Sequence, residues 1–125
     1  MAAPNIVNVA TITAKSAVLS LTGTSATQLL ENPASSDKVM KVNMILICNV
    51  DGTSAADITI AYYDQDDLGG TATEILSTVS VPADSTLVAI DKNTAIYLEE
   101  NTSIGLTASA ANDLKGFVSY EEISD

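Results

Sequence analysis

The stretch Lys38–Val50, KVMKVNMILICNV, is the longest apolar run in the chain. Val39, Val42, Ile45, Ile47 and Val50 are β-branched, which favours strand over helix. Alternation along a strand places Val42, Met44, Leu46, Cys48 and Val50 on one face and Lys41, Asn43, Ile45, Ile47 and Asn49 on the other. The first set is wholly apolar and is expected to face a core. The second is polar at its ends with isoleucines in its middle, as suits a face covered by another sheet, a loop or a neighbouring subunit. The run therefore reads as the central strand of an all-β domain.

Further strand segments are separated by turn residues on either side of that run. Asn5–Thr13 and Lys15–Leu21 read as two short strands, followed by the turn Thr22-Gly23-Thr24 and a third strand over Thr27–Glu31. The loop 32–37 carries turn residues at nearly every position. Asp51-Gly52 closes the central strand. Asp57–Asp64 alternates Ile58, Ile60 and Tyr62 against Thr59, Ala61 and Tyr63, a half-buried strand. Thr73–Val81 stops at Pro82, Thr86–Ile90 and Ala95–Leu98 flank Asp91-Lys92-Asn93, and Thr102–Ala108 and Leu114–Ile123 complete the set. Ala108–Leu114 holds one short helical turn at most. Nine or ten strands at this spacing predict a single-domain antiparallel β-sandwich, jelly-roll-like, over residues 1–125, with residues 1–9 as an N-terminal arm.

Composition narrows the chemistry. Of 125 residues, 46% are hydrophobic, enough to bury a core without disorder, yet there is no Trp, one Phe and four Tyr. The core must be built from small aliphatics. The net charge is −11, with five lysines and no arginine, so phosphate backbones and anionic membranes are repelled and neither nucleic acid nor membrane is an expected partner. The single cysteine, Cys48, excludes an internal disulfide and is expected to pack inward as a small hydrophobe. The first residues, MAAPNIVNV, show neither a basic n-region nor a long apolar h-region, so no signal peptide is expected. No run of about 20 apolar residues is present.

Histidine is absent. That removes the commonest general base, the Ser-His and Cys-His nucleophile pairs and the commonest zinc ligand. Without arginine the usual clamps for phosphate and carboxylate substrates are missing too. No catalytic, cofactor-binding or metal-ligating residue is assigned, and the chain is not expected to be an enzyme. The acidic loop with Asp64, Asp66 and Asp67 is the best place for a hard cation. It lacks the glycine offset and distal glutamate of a calcium loop, so it reads as a solvated hairpin loop, and whether those carboxylates bind a cation stays open. Glu99-Glu100 and Glu121-Glu122 read as polar turns or strand edges. Tyr62 and Tyr63 point to opposite faces, one inward with its hydroxyl at the rim, the other exposed or in a subunit interface. Gly69-Gly70 is no phosphate cradle, since no helix or lysine follows. The loops at 64–70 and 99–101 are the expected exposed ones.

The second half carries a set of short motifs: Asn49-Val50-Asp51-Gly52-Thr53, Ala56-Asp57-Ile58-Thr59-Ile60, Val81-Pro82-Ala83-Asp84-Ser85-Thr86-Leu87, Ile96-Tyr97-Leu98-Glu99-Glu100, Ile104 and Ser119-Tyr120-Glu121-Glu122-Ile123. Over roughly residues 38 to 124, and more loosely over the N-terminal strands, it resembles small virion structural proteins of tailed bacteriophages, particularly those of marine cyanophages. None of these motifs is catalytic. The resemblance implies a compact β-sandwich, assembled in the host cytoplasm and present in many copies on the particle. Within that family a head decoration, or cement, protein that clamps major capsid protein subunits is favoured, as a homo-oligomer and often a trimer. A tail, neck or fibre component is the alternative, and a carbohydrate-binding recognition module a further one, disfavoured by the missing Trp. Met1–Val9 could then reach over a neighbour and add to its sheet.

Overall fold

The computed structural model describes residues 7–125. Among the described residues nine strands form: β1 (Thr11–Ser20), β2 (Thr27–Asn32), β3 (Lys38–Asn49), β4 (Ala56–Gln65), β5 (Gly69–Val81), β6 (Thr86–Ile90), β7 (Ile96–Leu98), β8 (Thr102–Ala108) and β9 (Leu114–Ser124), with a 3₁₀ turn at Lys92–Thr94. The two short N-terminal strands expected from the pattern are replaced by one. Ala14 continues β1 where a break was expected, because Thr13-Ala14-Lys15 contains no turn residue. Val7–Ala10 lie outside any strand. The rest of the expected arm, Met1–Ile6, lies outside the described residues.

The pairing is that of one long hairpin rolled up on itself. β4 pairs with β5 at its tip, β3 with β6 and β7, β2 with β8, and β1 with β9, all antiparallel. β3 also pairs with β9 and β4 with β8, which closes the roll. One sheet then has the order β1-β9-β3-β6, with β7 beside β3, and the other β2-β8-β4-β5. β6 and β7 lie end to end along one edge of β3 and act as one interrupted strand. The result is a jelly roll, an antiparallel double-sheet sandwich.

The core lies between the sheets and is aliphatic, as the composition requires. Val42, Ile45, Ile47 and Val118 from the first sheet meet Ile58, Ile60, Ile104 and Leu106 from the second, and all are fully buried. Gly116 in β9 sits under Leu106 of the facing sheet. A Cβ there would approach the Leu106 Cδ1 to 2.6 Å, so this position stays without a side chain for the layers to close.

β3 does not present the face expected of it. The β3–β9 register shifts between Val42 and Met44, so a bulge reverses the alternation. Met40 and Val42 point inward before it, and Ile45, Ile47 and Asn49 point inward after it. Met44, Leu46 and Cys48, expected in the core, are half-buried on the outer side, and Val50 is exposed. A wholly apolar face was read as the core face; Val42 keeps to it, and the bulge turned the rest out.

Two fully buried asparagines clamp the ends of β3. At one end Asn32 Nδ2 donates to the carbonyls of Lys38 (2.8 Å) and Leu98 (3.0 Å), and its Oδ1 accepts from the Ser36 hydroxyl. At the other end Asn49 Nδ2 donates to the carbonyls of Ser54 and Val81, both at 2.9 Å, and its Oδ1 accepts from the Asp51 amide. Each side chain gives its donors to backbone carbonyls at one end of the strand. An ion triad joins three neighbouring strands: Lys15 in β1 and Lys38 in β3 lie 3.2 and 2.9 Å from the Glu122 carboxylate in β9. Chiefly the Lys38 hydrogen bond holds that carboxyl below its ordinary range. A carboxyl depressed in the folded state adds stability above its ordinary value, and the contribution is lost as pH falls through the lowered one.

Removing the Asn49 clamp is the sharpest test of this arrangement. Asn49→Ala removes a donor from each of two carbonyls and is expected to cost about 3 kcal/mol, read from chemical denaturation with an unchanged denaturant slope.

Candidate assembly surface

The outer face of the β1-β9-β3-β6 sheet carries the apolar side chains that the bulge turned outward. Val18 pairs with Phe117, Phe117 with Leu46, and Leu46 with Val88. These four form one apolar row across four strands. Val18 and Val88 keep 78% and 56% of their surface exposed, more than scattered surface aliphatics need to account for as a row. Beside the row, Ser20, Lys115, Cys48 and Thr86 pair in the same way and edge a cavity of about 340 Å³ floored by Leu46 and Phe117. Cys48 therefore lines a surface groove and is not a core hydrophobe.

The sheet edges differ in how they are protected. β5 is long, but its pairing with β4 shifts register at three places, Thr78 has φ 47°, and Glu74 lies along it. β6 and β7 are short and interrupted by the 3₁₀ turn that the Asp91 side chain caps. β2 has six residues and a bulge between Gln28 and Leu30. Bulges, breaks and short strands are the usual protection against edge pairing. β1 has none of them. It runs ten residues in unbroken register with β9, and among the described residues nothing pairs with its other edge. Its one charge, Lys15, is engaged by Glu122. All sixteen carboxylate side chains of the chain occur from Glu31 onward, so β1 belongs to an acid-free stretch of an otherwise strongly acidic protein.

The acidic loop is the hairpin between β4 and β5, exposed at Asp64, Gln65 and Asp67 as expected, and it is tied down by hydrogen bonds. It folds over the outside of the second sheet, where Leu68 and Tyr63 cover Gly105; a Cβ at Gly105 would stand 3.0 Å from each. The Leu68 amide donates to Ser103 Oγ, and that hydroxyl donates to the Gln65 carbonyl. The Asp66 amide donates to Asn101 Oδ1 at 3.0 Å, which joins the 64–70 and 99–101 loops. Asp64 accepts from the Thr71 amide and Asp66 from the Ala34 amide, so these carboxylates cap backbone donors. Asp67 presents its amide to Glu31. Among the described residues no group of three or more His, Cys, Asp or Glu is placed to hold a metal ion. Tyr62 packs against the core, and Tyr63 lies half-buried on the outer side over Gly105.

The short motifs of the second half serve the fold. Asp51 Oδ1 accepts from the Thr53 amide and hydroxyl and from the Ser54 amide, and the Thr53 amide bond leads in holding its carboxyl below the ordinary range. Asn49 binds the carbonyls of Val81 and Ser85, so the 49–53 and 81–87 motifs meet at one end of the sandwich. At the other end the Asp37 amide donates to Glu100. The residues of these three motifs anchor loops.

No protein-family model matches the sequence, and no curated protein sequence matches it. Solved structures do share its fold. A chain of the Bacillus endospore appendages, described as disulfide-linked pili, superposes with a TM-score of 0.52 at 16% identity, over 91% of this chain and 88% of that one. A chain of the acid-stable capsid of the Helicobacter pylori bacteriophage KHP30 superposes with a TM-score of 0.54 at 12% identity, over 93% and 90%. At these identities the likeness is one of fold.

The outward placement of the β3 face has a direct chemical readout. Cys48 is expected to react with a small thiol reagent in the native protein at a rate independent of denaturant below the unfolding transition. A thiol silent until global unfolding would return Cys48 to the core.

Proposed function

We propose that this chain is a non-enzymatic structural subunit of an assembled particle, and within that class a head decoration protein of a tailed phage, working as a homo-oligomer on the capsid surface. The observation that carries this reading is the outer face of the β1 sheet: a row of exposed and half-buried apolar side chains ending at an edge that no described residue pairs, on a chain whose acidic surface otherwise discourages self-association. The resemblance of residues 38–124 to small phage virion proteins supports it, and so does a fold shared with a phage capsid chain and a pilus chain. The polar groups point the same way, since the clustered carboxylates and motif residues are engaged in loop anchoring. A jelly roll of this kind contributes surface and rigidity; its loops are tied down by Asn32, Asn49, Asp51 and Asp66.

Co-sedimentation with undecorated phage capsids tests the reading. Binding at a fixed stoichiometry per capsid subunit is expected, with lost binding for Val18→Asp or Val88→Asp variants that remain folded. Recovery of the protein only in the tail or neck of dissociated virions would replace the head assignment, and absence from every particle fraction would refute the structural role.

A further inference from the structure

The geometry points to the free edge of β1 as a self-pairing surface: β1 joins the β1 of a second copy, antiparallel about a two-fold axis at Ser16, into one sheet continuous across both subunits. This deepens the structural-subunit reading by naming its first contact between copies.

The occupant follows from the chemistry of the edge. A strand with one side already paired offers every second residue's N–H and C=O outward, and only another extended strand satisfies that row in full. Electrostatics then selects the strand. Two copies at −11 each repel over most of their surfaces, and β1 lies in the stretch that carries no carboxylate. The other long edge, β5, is broken by register shifts and carries Glu74.

The register is also determined. In an antiparallel pair, opposed residues must both point their backbone groups at each other, or both away. Across a two-fold axis this restricts β1 to pairings between residues of the same parity. Two such registers engage nine of its ten residues. One centres on Lys15 and sets Lys15 against its own copy, a like-charge pair directly opposed. The other centres on Ser16. It opposes Ala14 to Val18 on the outer face, and Thr13 to Leu19 and Lys15 to Ala17 on the inner face, with no charge facing a like charge. The Ser16 register also carries the apolar row Val18–Phe117–Leu46–Val88 on to Ala14 of the partner copy. The product is a two-fold dimer rather than the trimer that the family resemblance implies. A contact this narrow is weak for a free pair and gains strength where many copies are held together.

Disulfide trapping in isolated protein tests both pairing and register. In a Cys48→Ser background, Ser16→Cys places a thiol against its own copy. Opposed Cα atoms there are separated by about 4.5–5.5 Å, inside the range of about 4.4–6.8 Å that a disulfide spans. Oxidation at high protein concentration is expected to give a covalent dimer for Ser16→Cys. Ala14→Cys, also exposed and facing Val18, is expected to stay at the background level of random collision. Equal trapping of the two, preferential trapping of Ala14→Cys, or no dimer from either overturns the pairing. A second arm needs no cysteine: Ser16→Glu, folded by circular dichroism, should weaken concentration-dependent self-association at least about fivefold, and unchanged association overturns it. Neither arm involves capsids, so failure here leaves capsid binding standing, and failure of capsid binding leaves this dimer standing.

Discussion

A register shift between Val42 and Met44, midway along β3, decides which side of the longest strand meets the second sheet. Before it, even-numbered residues point inward; after it, odd-numbered ones do. Without it, keeping Val42 inside would put Met44, Leu46 and Cys48 in the core and turn Ile45 and Ile47 outward. Asn49 would turn outward with them, and the carbonyls of Ser54 and Val81 would each lose a donor. The bulge thus allows one strand to fill the core at both ends and still deliver a polar clamp to its last position. It also places Leu46 outside, where it joins Val18, Phe117 and Val88.

The fold was readable because turn residues stand between strands nearly everywhere. Asp51-Gly52, Pro82 through Ser85 and Asp91 through Asn93 lie where β3, β5 and β6 end. Alternation of Ile58, Ile60 and Tyr62 against Thr59, Ala61 and Tyr63 marked β4 as a half-buried strand, and the first set faces the core. The inner face of β3 was not readable, because a bulge leaves no requirement in the residues themselves. Asn43 is compatible with a bulge but equally with an outward position on a regular strand. β1 was split in two for a related reason: it is an edge strand exposed along most of its length, so its side chains carry only a faint alternation.

The candidate site was legible only in outline. The isoleucine side of β3 was read as covered by another sheet, a loop or a neighbouring subunit, and the second sheet covers it, whereas the apolar row on the outer face was not foreseen. The acidic loop is exposed as its carboxylates suggested, but its anchoring was not legible. Its amides and carboxylates in fact meet Glu31, Ala34, Asn101 and Ser103, residues distant in sequence that only the rolled hairpin brings to the same end. Residue types alone hold no record of such long-range partners. The edge of β1 stood out only beside the other edges, once bulges, breaks and short lengths were seen to protect those and not this one.

In the proposed subunit, a bulged central strand clamped at both ends is joined to one regular edge that no described residue pairs, where the sheet would continue into a neighbour. Amide hydrogen exchange, resolved by residue and compared between dilute monomer and assembled protein, tests this most directly. In the monomer, β1 should alternate between slow amides bonded to β9 and fast amides on the open edge. In the assembly the fast set should slow as well, while the β5 edge keeps its monomer pattern. Contradiction would be a β1 edge that exchanges equally fast in both states while β5 or the 64–70 loop gains protection.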